Sequence, residues 1–137
     1  MTDNAITGAI MDAAYHIHTR LGPGLLESAY ETILVHELTK RGLTIIRQPL
    51  IPVTYEEITV ETGFRADLIV ENRIIVEVKS VESIAPVHKK QLLTYLKLTD
   101  KRLGLLINFN VVSMKDGITR IANGLPDDQP QLHQPPA

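Results

Sequence analysis

The sequence of 137 residues contains no cysteine and no tryptophan, and only 4% of its residues are aromatic. The lack of cysteine excludes disulfides, thiolate zinc sites and iron–sulfur clusters. The scarcity of aromatic side chains, which could stack on sugar rings, argues against a glycosidase that uses two carboxylates. A catalytic site in this chain must therefore be built from oxygen and nitrogen groups.

Long apolar runs and a strong net charge are also missing. No segment is apolar over the length of a membrane span, and Met1–Asn4 lacks the basic residues of a signal peptide. We therefore expect a cytoplasmic protein without membrane contact. The formal net charge is −2, so any encounter with nucleic acid must depend on a local basic patch rather than on overall charge.

Hydrophobic periodicity predicts two helices at the start of the chain. Gly22-Pro23-Gly24 ends the first, for which Thr2, Asp3 and Asn4 are candidate N-caps. Its predicted buried face is Ile6, Ile10, Ala13, Ile17 and Leu21. The second helix runs from about 25 to 41 and ends at Gly42. Its predicted buried face is Leu26, Ala29, Tyr30, Ile33, Leu34 and Leu38.

β-Branched residues then predict strands over 44–55, 58–70 and 74–79. Pro49 and Pro52 favour an edge position for the first of these, and Gly63 indicates a bulge or bend in the second. Pro86 begins a third helix that runs to about Leu98. The continuous apolar run over 103–109 is typical of a strand covered on both faces, and a short last strand is expected over 118–121. 

This order predicts one α/β domain over residues 1–124. Short turns should join the first three strands into an antiparallel meander, and a right-handed helical crossover should place the fourth parallel to its neighbour. The result is a mixed β-sheet flanked by helices. Residues 125–137 are rich in proline and glutamine, and we expect them to form a disordered tail.

Asp67, Glu77 and Lys79 form the group with the clearest chemistry. Glu77 and Lys79 are two residues apart on one strand and therefore project from the same face. A three-residue turn over 71–73 would place Asp67 opposite Glu77, with the Cβ atoms about 4.5–5.5 Å apart. A two-residue turn would pair Asp67 with Val76 instead and point the carboxylates to opposite faces.

Like charges at opposite positions destabilise a sheet, and a divalent cation would relieve their repulsion. Mg²⁺ or Mn²⁺ held by Asp67, Glu77 and the Val78 carbonyl would neutralise a phosphodiester and lower the pKa of an attacking water. Lys79 could then hold that water or stabilise the developing charge. The structural alternative is that the two acids lie at strand ends and that Lys79 pairs with one of them.

Four segments follow one another in the chain. They are LGPGLLESAYE, which contains Gly24-x-x-Glu27-x-x-Tyr30, then RADLIVENRIIVEVKS, HKKQLLTYL and LGLLINFN. In this order they resemble the GxxExxY protein family, which is grouped with the PD-(D/E)xK nuclease superfamily. The resemblance runs from the first helix to Gly124. Asp67 is preceded by alanine instead of the proline in the superfamily's name, at a position that varies among members.

The resemblance implies a restriction-endonuclease-like core and a Mg²⁺- or Mn²⁺-dependent nuclease acting on nucleic acid, with DNA as the expected substrate. It assigns Asp67 and Glu77 as metal ligands, Lys79 as the catalytic lysine and Glu27 as the helix-borne acid that completes the site. An acid in the first turn of a helix also caps free N–H groups, which is the alternative role for Glu27. Glu31 is expected to be secondary or solvent-exposed.

Three further residues are candidates for supporting the site. Gln91 and Tyr95 share one helical face, and their spacing is similar to a motif that supports the site or contacts DNA in nucleases related to bacterial recombination exonucleases. His18 resembles a histidine before the GPG turn of the family. The alternatives are a packed tyrosine with a glutamine at its edge, and a structural histidine.

Two broader alternatives remain at this level. A non-catalytic module that binds nucleic acid or protein could keep the same fold, although such a module has no need of paired acids with a lysine. The small size of the chain suggests that a homodimer or a partner protein supplies specificity.

Overall fold

A computed structural model describes residues 1–124 of the chain. The tail predicted over 125–137 lies outside the described residues. Within residues 1–124, no helix has the length and apolar character needed to cross a membrane. The chain forms three α-helices and seven β-strands in this part, together with a short 3₁₀ turn over Met114–Asp116.

The first helix, α1, covers Asp3–Leu21. The Thr2 hydroxyl accepts a hydrogen bond from the Ala5 N–H at 3.0 Å and so caps the free N-terminus of the helix. Four of the five residues predicted for its buried face are indeed buried. Leu21 is the exception: it is 48% exposed, because it is the last helical residue before the Gly22 turn.

The second helix, α2, covers Glu27–Lys40. Gly42 follows its C-cap, Arg41, and is the predicted glycine at the end of the helix. Gly42 has φ 88°, which favours glycine. The N–H groups of Gly42 and Leu43 donate to the carbonyls of Thr39 and Leu38 at 3.0 and 3.1 Å, which is the Schellman arrangement. Leu26, predicted to be buried, is 76% exposed because it is the N-cap and lies outside the helix.

The strands form a five-stranded mixed sheet and a separate two-stranded sheet. The order in the first is β1-β4-β5-β6-β7, with β5 and β6 parallel and the other pairs antiparallel. The strands and the third helix are β1 (Ile45–Arg47), β2 (Leu50–Tyr55), β3 (Ile58–Arg65), β4 (Leu68–Val70), β5 (Ile74–Lys79), α3 (Pro86–Thr99), β6 (Leu103–Asn108) and β7 (Ile118–Ala122). The predicted α/β class, with an antiparallel meander and a parallel crossover strand, is confirmed.

Two of the predicted strands are each divided in two. The predicted strand over 44–55 breaks at Gln48-Pro49 into β1 and β2, and the strand over 58–70 breaks at Ala66-Asp67 into β3 and β4. Proline cannot donate to the ladder, and Gln48 has φ 55°, outside the β region. The outer parts, β2 and β3, therefore form their own hairpin.

The predicted bulge lies in this β2–β3 hairpin. The pairing shifts between Ile51 and Val53, opposite the segment that contains Gly63. A Cβ atom on Gly63 would lie 2.2 Å from Val53 Cγ2, so this position requires glycine.

Alternating side chains of the five-stranded sheet fill two apolar cores. Ile74, Val76 and Val78 belong to the core shared with α1 and α2, whereas Ile75 packs in the core shared with α3. Because the side-chain period of a strand is two, Glu77 follows Ile75 on the α3 side. The sheet thus fixes the face on which the predicted site lies.

Tyr30 joins the first core to the turn between α1 and α2. Its ring is fully buried and stacks on Phe109, with ring centroids 4.4 Å apart. Its hydroxyl donates to the Gly22 carbonyl at 2.6 Å and accepts from the Leu25 N–H at 3.2 Å. The tyrosine of the Gly24-x-x-Glu27-x-x-Tyr30 motif is therefore a core residue, as expected, and it holds the turn that precedes Glu27.

We expect Tyr30→Phe to lower the free energy of unfolding by about 1–3 kcal/mol, because the turn loses a buried donor and acceptor. Urea unfolding followed by circular dichroism measures this loss. Tyr15→Phe is the matched control, since Tyr15 is 38% exposed on α1 and should be nearly neutral. Equal midpoints for Tyr30→Phe and wild type would show that the hydroxyl does not hold the turn.

Candidate active site

The turn between β4 and β5 sets the register of the two strands that carry the predicted acids. Val70 pairs with Ile74 across the three residues 71–73, and continuing this register places Asp67 opposite Glu77. Glu71 and Asn72 both have positive φ, 54° and 56°, which is typical of the tight turns that join antiparallel strands. The three-residue alternative is confirmed, and the two-residue alternative is wrong.

Each of the two carboxylates accepts a hydrogen bond from the strand of the other. The Asp67 N–H donates to Glu77 Oε2 at 2.9 Å, and the Val78 N–H donates to Asp67 Oδ2 at 2.8 Å. These bonds replace ladder hydrogen bonds just before β4 begins, and they join the Asp67 segment to β5. The chain thus brings two acids together at one point of a buried sheet.

Burial makes this pair electrostatically costly. Glu77 is 5% exposed, and burial raises its pKa from the ordinary value of 4.5 to about 8, with the Asp67 charge adding to the shift. Burial also raises the pKa of Asp67, and the charges of Glu31 and Glu27 act in the same direction. The charge of Lys79 lowers both pKa values. A nearby cation would stabilise the ionised pair.

The free oxygens of the pair fit a hard divalent cation. Within residues 1–124, Asp67 Oδ1 and Glu77 Oε1 accept no hydrogen bond, although buried carboxylates normally have partners. In the same part of the chain no three His, Asp or Glu side chains are grouped closely enough to hold a metal ion. Mg²⁺ is usually bound by one or two carboxylates together with waters and substrate phosphates, and it seldom has protein ligands alone. The two carboxylates fit this kind of site.

Glu27 begins α2 and contacts the end of β5. Its side chain is exposed, and Oε2 accepts a hydrogen bond from the Ser80 N–H at 3.1 Å. The Ser80 hydroxyl donates to the Leu25 carbonyl at 2.8 Å, so the start of α2 is bound twice to the residue after Lys79. The hydrogen bond of Glu27 therefore joins it to the residue next to Lys79, and not to a free N–H of its own helix.

Lys79 shares the face of Glu77, and its charge acts on both acids. It is half-buried, and it forms no ion pair within 4.0 Å among the described residues. The structural alternative, in which Lys79 pairs with one of the acids, is therefore not what the structure shows. The ammonium group remains available for a phosphate oxygen or a water.

Gln91 and Tyr95 lie on α3, which packs on the same face of the sheet as Glu77. Tyr95 stacks on Phe64, with ring centroids 4.0 Å apart. Burial raises the pKa of Tyr95, the charges of Glu77 and Asp67 raise it further, and a hydrogen bond with Gln91 lowers it. The phenol thus lies within the electrostatic influence of both acids, while Gln91 is exposed beside it.

His18 contacts a different part of the molecule. It is 8% exposed, and its Nε2 lies 2.8 Å from the Val111 carbonyl, in the loop after β6. This contact ties α1 to that loop and agrees with the structural alternative for a lone helical histidine. The site role of His18 stays a prediction.

Glu31 differs from the expectation of a secondary or solvent-exposed residue. It is 6% exposed and accepts hydrogen bonds from Arg47 and Gln48. The helical spacing from Glu27 indicated a shared face, but it could not show that β1 covers that face. The basic and amide residues just before Pro49, Arg47 and Gln48, were the available signal for a buried acid on α2.

The raised pKa of Glu77 predicts a pH dependence of stability. Between pH 4.5 and about 8 the folded protein keeps a proton that the unfolded chain has lost. The free energy of unfolding should therefore fall as pH rises, by up to about 1.4 kcal/mol per pH unit from this group. The contribution is fully present below the unfolded pKa and is lost as pH rises through the folded pKa.

Urea unfolding in EDTA at a series of pH values across this interval measures the slope. Glu77→Gln stays neutral, so its slope should be shallower than that of the wild type. Glu37→Gln is the control, because Glu37 is also buried but a hydrogen bond from Arg41 lowers its pKa. The same slope in Glu77→Gln and wild type would contradict the assignment.

Comparison with known proteins agrees with this geometry. A family model described as the PD-(D/E)XK nuclease superfamily matches residues 4–121, which is most of the chain. Searches of curated proteins and of solved structures give no match. The matched region contains the paired acids, the lysine and the helix that begins at Glu27. The chain therefore belongs to the PD-(D/E)XK nuclease superfamily.

Proposed function

We propose that the protein is a divalent-metal-dependent nuclease that hydrolyses phosphodiester bonds, with DNA as the expected substrate. The observation that carries the proposal is the pairing of the half-buried Asp67 with the buried Glu77, which are held opposite each other with Lys79 on the face of Glu77. Within the superfamily we place the chain in the GxxExxY family, because Gly24, Glu27 and Tyr30 have the spacing of its motif.

In this proposal Asp67, Glu77 and the Val78 carbonyl would hold Mg²⁺ or Mn²⁺, and Glu27 would reach the cation through a water ligand. The bound cation supplies charge neutralisation at the phosphate and a more acidic water. The two paired acids hold their free oxygens in fixed positions, because the opposite strand binds their other oxygens. Glu27 keeps the end of β5 in place through the Ser80 N–H.

Lys79 is the residue that acts on the substrate. Its ammonium group would orient the attacking water or stabilise the charge that develops on the phosphate. Electrostatic stabilisation of such developing charge is usually the largest single term in catalysis. Gln91 and Tyr95 would support the site from α3, where the stacking of Tyr95 on Phe64 holds the phenol.

Nucleic acid would approach the α3 side of the sheet. The chain has a net charge of −2, so phosphate contacts must come from a local group of cations. Such a group lies on and after α3, and its members are Lys89, Lys90, Lys97, Lys101 and Arg102. The cytoplasmic location, the single domain over 1–124 and a homodimer or partner protein that supplies specificity stay predictions.

A non-catalytic nucleic-acid- or protein-binding module is the second candidate. Two observations favour it: within residues 1–124 no group of three metal-ligating side chains is present, and Glu27 is bound to a backbone N–H. Against it stands the electrostatically costly pairing of Asp67 with the buried Glu77, which has no evident use in a module that only binds.

A cleavage assay on labelled DNA and RNA tests the nuclease proposal. We expect cleavage with Mg²⁺ or Mn²⁺, none with EDTA, and a loss of at least about a hundredfold in Lys79→Ala and Asp67→Ala. Lys79→Ala removes the positive charge at the reacting phosphate, and Asp67→Ala removes a proposed metal ligand. Lys115→Ala is the matched control, since Lys115 is an exposed lysine of the 3₁₀ turn and should not affect cleavage.

Two results would count against the proposed site. Cleavage that persists in Lys79→Ala and Asp67→Ala would place the activity elsewhere. Metal-independent binding of nucleic acid without any cleavage by the folded wild type would favour the binding module.

A further inference from the structure

A polar cluster outside the four proposed site residues connects α2 to the end of β1. It consists of Glu31, Arg47 and Gln48 and is called here the Glu31 clamp. Gln48 Nε2 donates to both carboxylate oxygens of Glu31 at 2.9 Å, and Arg47 Nε donates to Oε2 at 2.8 Å. A buried carboxylate with this many donors, one of them charged, is held in one position.

The backbone of Gln48 extends the clamp to Asp67. The Gln48 N–H donates to the Asp67 carbonyl at 2.8 Å, and the Ala66 N–H donates to the Pro49 carbonyl at 3.3 Å. These bonds join the two strand breaks of the fold. Gln48 has φ 55°, which a glutamine seldom adopts, so the surrounding contacts must hold it there.

Helix α2 is thus bound to the sheet at two points, one helical turn apart. Glu27 binds the end of β5 through Ser80, and Glu31, one helical turn later, binds β1 through Arg47 and Gln48. The oxygens of Glu31 are occupied by these donors, so it is not itself a candidate metal ligand. Any effect of Glu31 on the acids must pass through the backbone that it fixes or through its charge.

We propose that Glu31 and Gln48 are positioning residues for Asp67, which set the placement of its carboxylate relative to Glu77 by fixing the backbone at the β3–β4 break. The inference rests on the proposed function, because it takes Asp67 as a metal ligand. Partners that orient metal ligands typically change metal affinity or activity about 10–100-fold when they are mutated. Mutation of a side chain with a purely structural role would change the stability of the protein and not its metal affinity.

Two variants test the clamp. Gln48→Gly removes the amide but keeps the N–H bound to Asp67 and tolerates the positive φ. Glu31→Gln keeps the size of the side chain but weakens its bonds to Arg47 and Gln48. For each protein we would measure Mn²⁺ binding by electron paramagnetic resonance, the Mn²⁺ concentration that half-saturates cleavage of labelled DNA, and urea unfolding in EDTA.

The chain offers a matched control for each variant. Glu56→Gly replaces a residue with φ 54° at the tip of the β2–β3 hairpin, away from the clamp. Glu37→Gln neutralises another buried glutamate of α2, which accepts a hydrogen bond from Arg41 Nε at 3.0 Å. Both controls should show the cost to stability without an effect on the metal.

We expect Gln48→Gly and Glu31→Gln to weaken Mn²⁺ binding about tenfold or more and to raise the half-saturating Mn²⁺ concentration by the same factor. Both controls should bind Mn²⁺ as the wild type does. Wild-type Mn²⁺ affinity in the two clamp variants, or a loss no greater than that of the controls, would overturn the inference and leave the proposed function intact. A wild type that neither binds Mn²⁺ nor cleaves DNA would overturn both.

Discussion

The pairing of Asp67 with Glu77 is the constraint on which the rest of the site depends. Two acids opposite each other in a buried sheet repel, and their desolvation raises both pKa values. The backbone hydrogen bonds that each accepts from the other strand offset part of this cost and fix one oxygen of each group. The other oxygens are left for a cation, which would remove the remaining repulsion.

The breaks in two strands are the means by which the fold reaches this arrangement. Because β3 and β4 separate at Ala66-Asp67, the Asp67 N–H and carboxylate can both bond across to β5 instead of continuing a regular ladder. The matching break at Gln48 supplies the bonds that stabilise this irregular backbone. Irregular geometry of this kind persists only where the surrounding structure determines it, and it is concentrated at functional sites.

Much of the fold could be predicted because local signals agree with each other. The three-residue turn over 71–73 was one of two registers that the sequence allowed, and it is the one in which Asp67 faces Glu77. The Gly42 cap, the start of α3 at Pro86 and the parallel pairing of the run over 103–108 also follow from residue type and spacing. The predictions were wrong at the ends of elements. Leu26 was predicted to be buried but is exposed, because a hydrophobic pattern does not show where a helix begins.

The sequence by itself determined the strand that carries Glu77 and Lys79 and the face that they share, because the period of a strand fixes this relation. It placed Asp67 inside a strand, whereas Asp67 lies at the break between β3 and β4. Tertiary structure decided which register was used, that Glu31 is buried against Arg47 and Gln48, and that His18 turns to the Val111 carbonyl. These contacts join residues far apart in the chain. No local pattern specifies them, because they depend on how whole elements pack.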